Sequence, residues 1–265
     1  MFQAKMSKKE VQQVVRNIIA FRQKIAPFDL YSDSIIKHLL FSSWFIEALL
    51  RRALLLSPEC QIDCTQMRYE IDESMISSAD NGLKKPVLDG KLFVTYKEPG
   101  EGEHRIIVSV DVQKRLGMEL MARLAFNATS LIYNQINSGE SHESLRHVYT
   151  VTLTCENMAR FRDKPEQYLH FTCGDELLER THKVRNMLQH VFLEVNKFNK
   201  DTDGVNSNGC ILEAFMYIAK RWQVLTEEML EEIILAGGYM AEAAFKLSQL
   251  NTTLTEDDVW LDIER

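Results

Sequence analysis

The sequence predicts an α/β fold in which helices cover a mixed β-sheet and a helical region follows. Three observations carry this. Two strand-like runs, VLDGKLFVTY (87–96) and RIIVSVDVQ (105–113), are joined by KEPGEGEH, whose Gly and Glu content is that of a hairpin connection. The apolar period then changes from 2 to 3.6 over residues 117–136 and returns to a β-branched run, HVYTVTLTC (147–155). Beyond about residue 174 every apolar segment reads at helical period. Strand, strand, long helix, strand is the order of an α/β unit.

The elements follow in order. Val11, Val14, Val15, Ile18 and Ile19 recur at helical spacing over residues 7–25, and Pro27 fits a stop shortly after. Asp33 stands as an N-cap before a second apolar-periodic run to Leu56, closed by Ser57 and Pro58. Residues 59–86 show no clear period, with a short strand or helix expected around CTQMRYEI. On the second long strand, Ile106, Val108, Val110 and Val112 share one face, and Ile107, Ser109, Asp111 and Gln113 share the other. The helix at 117–136 has an apolar stripe of Met118, Met121, Leu124, Ala125, Ala128, Leu131 and Ile132. Its polar face carries Glu119, Arg123, Asn127, Ser130 and Asn134. In the tail, DELLERTHKVRNMLQHVFLEVNKF reads as one amphipathic helix and NKDTDGVNSNG as a loop. Two helices follow, the last broken at Gly237 and Gly238. The expected organisation is a core of residues 1–172, including the N-terminal helices, and a helical extension of residues 173–265 packed on it.

Composition narrows the function classes. The chain has 265 residues, 45% hydrophobic and 26% charged, an ordinary globular balance. IIKHLLFSSWFIEALLRRALLL is interrupted by Lys37, His38, Glu47, Arg51 and Arg52, so it falls short of the roughly 18 uninterrupted apolar residues of a membrane span. MFQAKMSKKE lacks the apolar stretch of a signal peptide, and a cytoplasmic protein with no membrane partner is expected. Five scattered cysteines suit reduced thiols. Cys60 and Cys64 have no second Cys/His pair at zinc spacing. Without an HExxH pattern, His182 and His190 read as helix-surface residues. The net charge of −7 argues mildly against a dedicated nucleic-acid binder, although Lys84/Lys85 and Lys114/Arg115 are local basic clusters.

Asp111 is the residue that needs explaining. An ionised carboxylate in a sheet interior costs several kcal/mol unless it is paired, protonated or metal-bound. With Gln113 on its strand face and Asp89 on the preceding strand, it forms a polar constellation that a hard cation such as Mg²⁺ would compensate. The same residues also admit a plain structural account. Asp89 precedes Gly90 and suits a turn, and Asp111 suits a strand end in solvent, paired with Lys114 or Arg115.

The succession LDGKLFVTY, IIVSVDVQK, an Arg-bearing helix and SGESHESLRHVYTVTLTCEN resembles the PD-(D/E)XK nuclease family transposases, also called recombination-promoting nucleases. The resemblance runs over roughly residues 30–160. Asp89 matches the first acid and Asp111 and Gln113 the Glu-x-Gln element, with Asp where the family usually carries Glu. Arg123 and Gln135 match the helix positions, Val148 and Tyr149 the strand start, and Asp33 and Lys37 an N-terminal Asp-x-x-x-Lys helix. The resemblance implies a restriction-endonuclease-like mixed sheet flanked by helices, and a metal-dependent DNA endonuclease with transposase-like function. It implies Mg²⁺ or Mn²⁺ held by Asp89, Asp111 and the Val112 carbonyl, with Gln113 orienting the attacking water. Lys91, Lys114, Arg123 and Gln135 would contact phosphates, Glu47 is either an extra acid or a solvent-facing helix residue, and a second copy of the chain is a candidate partner beside DNA. The alternative is a catalytically degraded nuclease fold retained as a nucleic-acid- or protein-binding module.

Overall fold

The computed structural model describes residues 6–25, 35, 39, 42–63, 69–70, 90–113, 119–135, 141, 145–154, 168–173, 188–194 and 202–253. The chain divides into two compact units, one of residues 50–197 and one of residues 1–49 with 198–265.

The first unit is built on a seven-stranded sheet of β1 (Gln61–Asp63), β2 (Tyr69–Glu70), β3 (Gly90–Lys97), β4 (Glu103–Gln113), β5 (His147–Thr154), β6 (Tyr168–Cys173) and β7 (Leu188–Glu194). The spatial order is β1-β3-β4-β5-β7-β6, with β2 also on β3. β3 and β4 form the expected antiparallel hairpin, with Gly90 opposite Val110 and Lys97 opposite Glu103. Its turn bonds the Glu101 N–H to the Glu98 carbonyl at 3.1 Å and places Gly100 at φ 81° behind Pro99. That positive φ is the glycine requirement of a type II turn. β5 runs parallel to β4 and β7 parallel to β5, while β6 is antiparallel to β7, so the sheet is mixed. The central strands are buried on both faces, as Val108, Val110, Val148, Val151, Val191 and Phe192 show.

A parallel pair needs a crossover, and the helix Leu120–Tyr133 supplies it between β4 and β5. Ala128 and Leu131 of this helix pack on Ile107 and Val148, with Phe93, Ile132 and Leu188 around them. Its buried face is rotated from the expected stripe, because Asn127 and Ser130 are buried and Ala125 is exposed. The sheet face beneath carries Ser109, Asp111 and Thr150 beside its apolar residues, so the helix meets it with polar residues too.

In the helical unit, α1 (Lys8–Ile25) buries Val11, Val14, Val15, Ile18, Phe21 and Ile25, and begins with a capping box. Ser7 N–H donates to Glu10 Oε2 at 2.6 Å, and Glu10 N–H donates to Ser7 Oγ at 3.3 Å. The second helix, α2 (Ser43–Ala53), begins in this unit and ends in the other. With the crossover helix numbered α3, the remainder are α4 (Thr202–Asn208), α5 (Ile211–Lys220), α6 (Glu227–Leu235) and α7 (Gly238–Thr253). Phe21 meets Trp222 edge-on at 5.9 Å, and Phe45 meets Phe215 at 5.3 Å. The break between α6 and α7 falls at Gly237 and Gly238, at φ 72° and 57°. Asn206 Oδ1 accepts the Met240 N–H at 3.1 Å and satisfies an orphan donor at the start of α7.

Three expectations are corrected. Residues 188–194, read as part of a long helix, form strand β7. Within β7, Val191, Phe192 and Leu193 are buried in succession, a short apolar run that periodicity cannot separate from a buried helix segment. Residues 202–208, read as loop, are α4, held by buried Val205 and by the Asn206 cap rather than by helix propensity. His190, read as a helix-surface residue, is on β7 and 3% exposed. In the region around CTQMRYEI, Tyr69 and Glu70 form strand β2. Asp33, Lys37, Cys64 and His182 lie outside the described residues. Among the described residues no helix is long and apolar enough to cross a membrane.

Candidate active site on the polar face of the sheet

Register places a row of polar side chains on one sheet face. Residues paired across β4, β5 and β7 point the same way, so Ser109, Thr150 and His190 form one row. Asp111, Thr152 and Phe192 form the next, and Gln113, Thr154 and Glu194 the last. Lys91 joins the first row from β3, opposite Ser109. The rows lie toward the C-terminal ends of three parallel strands, where an α/β sheet presents side chains to a ligand.

Asp111 is the centre of this face. It is only 6% exposed, which removes the account that leaves it at a strand end in solvent. Gln113, two residues on and therefore on the same face, donates from Nε2 to Asp111 Oδ2 at 3.0 Å. Arg123 on α3 donates from Nη2 to the same oxygen at 3.2 Å. Arg123 is 41% exposed, so its guanidinium neutralises the carboxylate from below and keeps a face toward solvent.

The neighbouring rows add groups that sequence reasoning missed. Thr150 Oγ1 and His190 Nδ1 share a 2.6 Å hydrogen bond, and burial pulls the His190 pKa below its ordinary value. Thr152, at 0% exposure, has a hydroxyl with no hydrogen-bond partner among the described residues. Glu194 is buried as well. The threonines were legible as alternate positions of TVTLT. His190 and Glu194 were not, because a helical period sends them to other faces.

The remaining sequence-derived residues divide. Lys91 is buried, with Nζ 4.7 Å from the Phe93 ring centre. Val112 lies between Asp111 and Gln113 on β4 with its side chain on the opposite face. Gln135 spends its carboxamide on the chain itself. It donates to the Arg146 carbonyl at 3.0 Å and accepts the Arg146 N–H at 2.7 Å. Val148 and Tyr149 begin β5 as expected. Glu47 is on α2, in the helical unit. Asp89 and Lys114 lie outside the described residues.

As a metal centre, the donor set is chemically suited to a hard cation. Asp111 and the unbonded hydroxyl of Thr152 beside it are oxygen donors, the type Mg²⁺ and Mn²⁺ take. Among the described residues no three His, Cys, Asp or Glu side chains gather as metal ligands. Cys60 is a buried free thiol whose pKa is raised, chiefly by burial.

A mixed sheet with a helix packed on it, carrying an Asp-x-Gln on the strand before that Arg-bearing crossover helix, is a restriction-endonuclease-like α/β fold. The sequence profile of the PD-(D/E)XK nuclease family transposases matches residues 98–258, and the chain belongs to that family. The match includes Asp111, Gln113, Arg123 and Gln135 and begins after Asp89 and Lys91. No curated protein and no solved structure matches significantly.

Proposed function

We propose that this protein is a metal-dependent endonuclease that hydrolyses DNA phosphodiester bonds. The observation that carries the reading is the buried Asp111 carboxylate, held by Gln113 on its own strand and by Arg123 on the crossover helix. Membership of a nuclease family supports the same reaction class.

Asp89, Asp111 and the Val112 carbonyl are the proposed ligands of Mg²⁺ or Mn²⁺. Gly90, next in sequence to Asp89, is paired with Val110, next to Asp111. When bound, such an ion acidifies a water and neutralises charge on the phosphate. The chain's own residues do the rest. Gln113 fixes the Asp111 carboxylate through Nε2, and as a neutral amide it orients a water without competing as a second cation. Arg123 offers planar donors to a neighbouring phosphate, with Lys91 and Lys114 as further phosphate contacts.

One observation favours a second reading, that of a nuclease fold retained for binding. Arg123 already neutralises Asp111. A site that has lost its metal would keep such a pair.

A plasmid-nicking assay with and without Mg²⁺ or Mn²⁺ tests the function. Nicking by the wild type only with metal, lost in Asp111→Ala, is the expected result. Nicking that persists in Asp111→Ala would overturn the proposal. An inactive wild type that binds DNA in a salt-dependent way would favour the binding module.

A further inference from the structure

We propose that Thr152 is a positioning residue of the Asp111 site, its hydroxyl holding a water in the coordination sphere of the Asp111 cation. The inference rests on the reading of Asp111 as a metal ligand and adds a residue from another strand.

The starting point is an unsatisfied group. Thr152 is 0% exposed, and its Oγ1 has no hydrogen-bond partner among the described residues. A buried hydroxyl left without a partner costs about 1–3 kcal/mol. A β-branched strand position could hold Val at the same volume without that penalty.

The neighbours show where a partner would sit. On this face Thr152 lies between Asp111 and Phe192, and Phe192 offers no hydrogen-bonding group. Along its own strand the next polar side chain toward the N-terminus, Thr150, is committed to His190 at 2.6 Å. Of its two neighbours in the row, Asp111 alone carries a hydrogen-bonding side chain, on the adjacent strand at the same register. Mg²⁺ keeps several of its waters when bound by carboxylates, and such waters donate hydrogen bonds to surrounding side chains. Thr152 is an uncharged group placed to take one.

The test compares Thr152→Val and Thr152→Ser with wild type and Asp111→Asn. The probes are Mn²⁺ and Mg²⁺ alone, read as metal-induced rise in melting temperature and as Mn²⁺ affinity by titration, both independent of cleavage. Metal-free Thr152→Val should melt at or slightly above wild type, because an unsatisfied hydroxyl is replaced by an isosteric methyl. Its Mn²⁺ affinity should fall about ten-fold, and Thr152→Ser should restore it. Two results overturn the inference while leaving Asp111 as a ligand. One is full metal affinity in Thr152→Val with loss in Asp111→Asn. The other is a metal-free Thr152→Val that melts well below wild type, which would show that the hydroxyl serves the fold. A wild type with no metal response would overturn the inference and the metal-dependent reading together.

Discussion

Arg123 Nη2 lies 3.2 Å from Asp111 Oδ2 and joins the crossover helix to the strand that precedes it. Where one partner is nearly buried and the other 41% exposed, the pair matters more for the carboxylate than for the guanidinium. Removing Arg123 leaves Asp111 with one fewer positive neighbour in a buried setting.

Arg123→Met should therefore lower metal-free stability by about 1–3 kcal/mol, after allowance for the solvent screening of the exposed guanidinium. Because that oxygen would lose its cationic partner, the Mg²⁺-induced rise in melting temperature should exceed that of wild type. Urea unfolding in chelator and thermal melts in millimolar Mg²⁺ measure the two effects. A variant equally destabilised in both conditions would show that Arg123 and a cation do not share Asp111.

His190 sets an acid limit on stability. Burial lowers its pKa from 6.5, so the unfolded chain takes up the proton first as pH falls. Stability should be unaffected by this group above about pH 6.5 and should fall below it. Among the described residues, the ionisable side chains in the rows around His190 include Lys91, Asp111 and Glu194, with Glu70 opposite Lys91 and Arg123 from α3 on Asp111. Urea unfolding at about pH 7.5 and about pH 5.5 should show a smaller acid loss in His190→Gln than in wild type. An identical loss in both proteins would assign the effect to another group.

Gln135 clamps the chain where β5 is about to begin. Both halves of its carboxamide bond the Arg146 backbone, at 2.7 and 3.0 Å. Gln135→Ala should cost about 1–2 kcal/mol by chemical denaturation. A protein of unchanged stability and weakened DNA binding would instead return Gln135 to the phosphate contact that the family resemblance implies.

Gly238 has no room for a side chain. Its φ is 57°, and an added Cβ would stand 2.7 Å from Asn206 Oδ1, the atom that caps α7. Gly238→Ala should lower stability by about 2 kcal/mol. An unchanged melting temperature would show that the α6–α7 break tolerates another backbone path.

What the sequence determined by itself is local in origin. A Pro-Gly turn and period-2 alternation specify the β3–β4 hairpin, and alternation alone puts Asp111 and Gln113 on one face. A 3.6 period specifies α3 and brings Arg123 within one crossover of them. Tertiary structure decided which strands stand beside β4. Thr152 and Phe192 reach the Asp111 row only because β5 and β7 align in parallel, a pairing between segments dozens of residues apart. It also decided that residues 188–194 are a strand. Val191, Phe192 and Leu193 are buried on both faces, so no alternation marks them, and only the neighbouring strands select the extended form. The burial of Asn127 and Ser130 has the same cause. A helix turns its polar residues inward only when the sheet beneath it is polar, and that sheet is assembled from strands the helix itself separates.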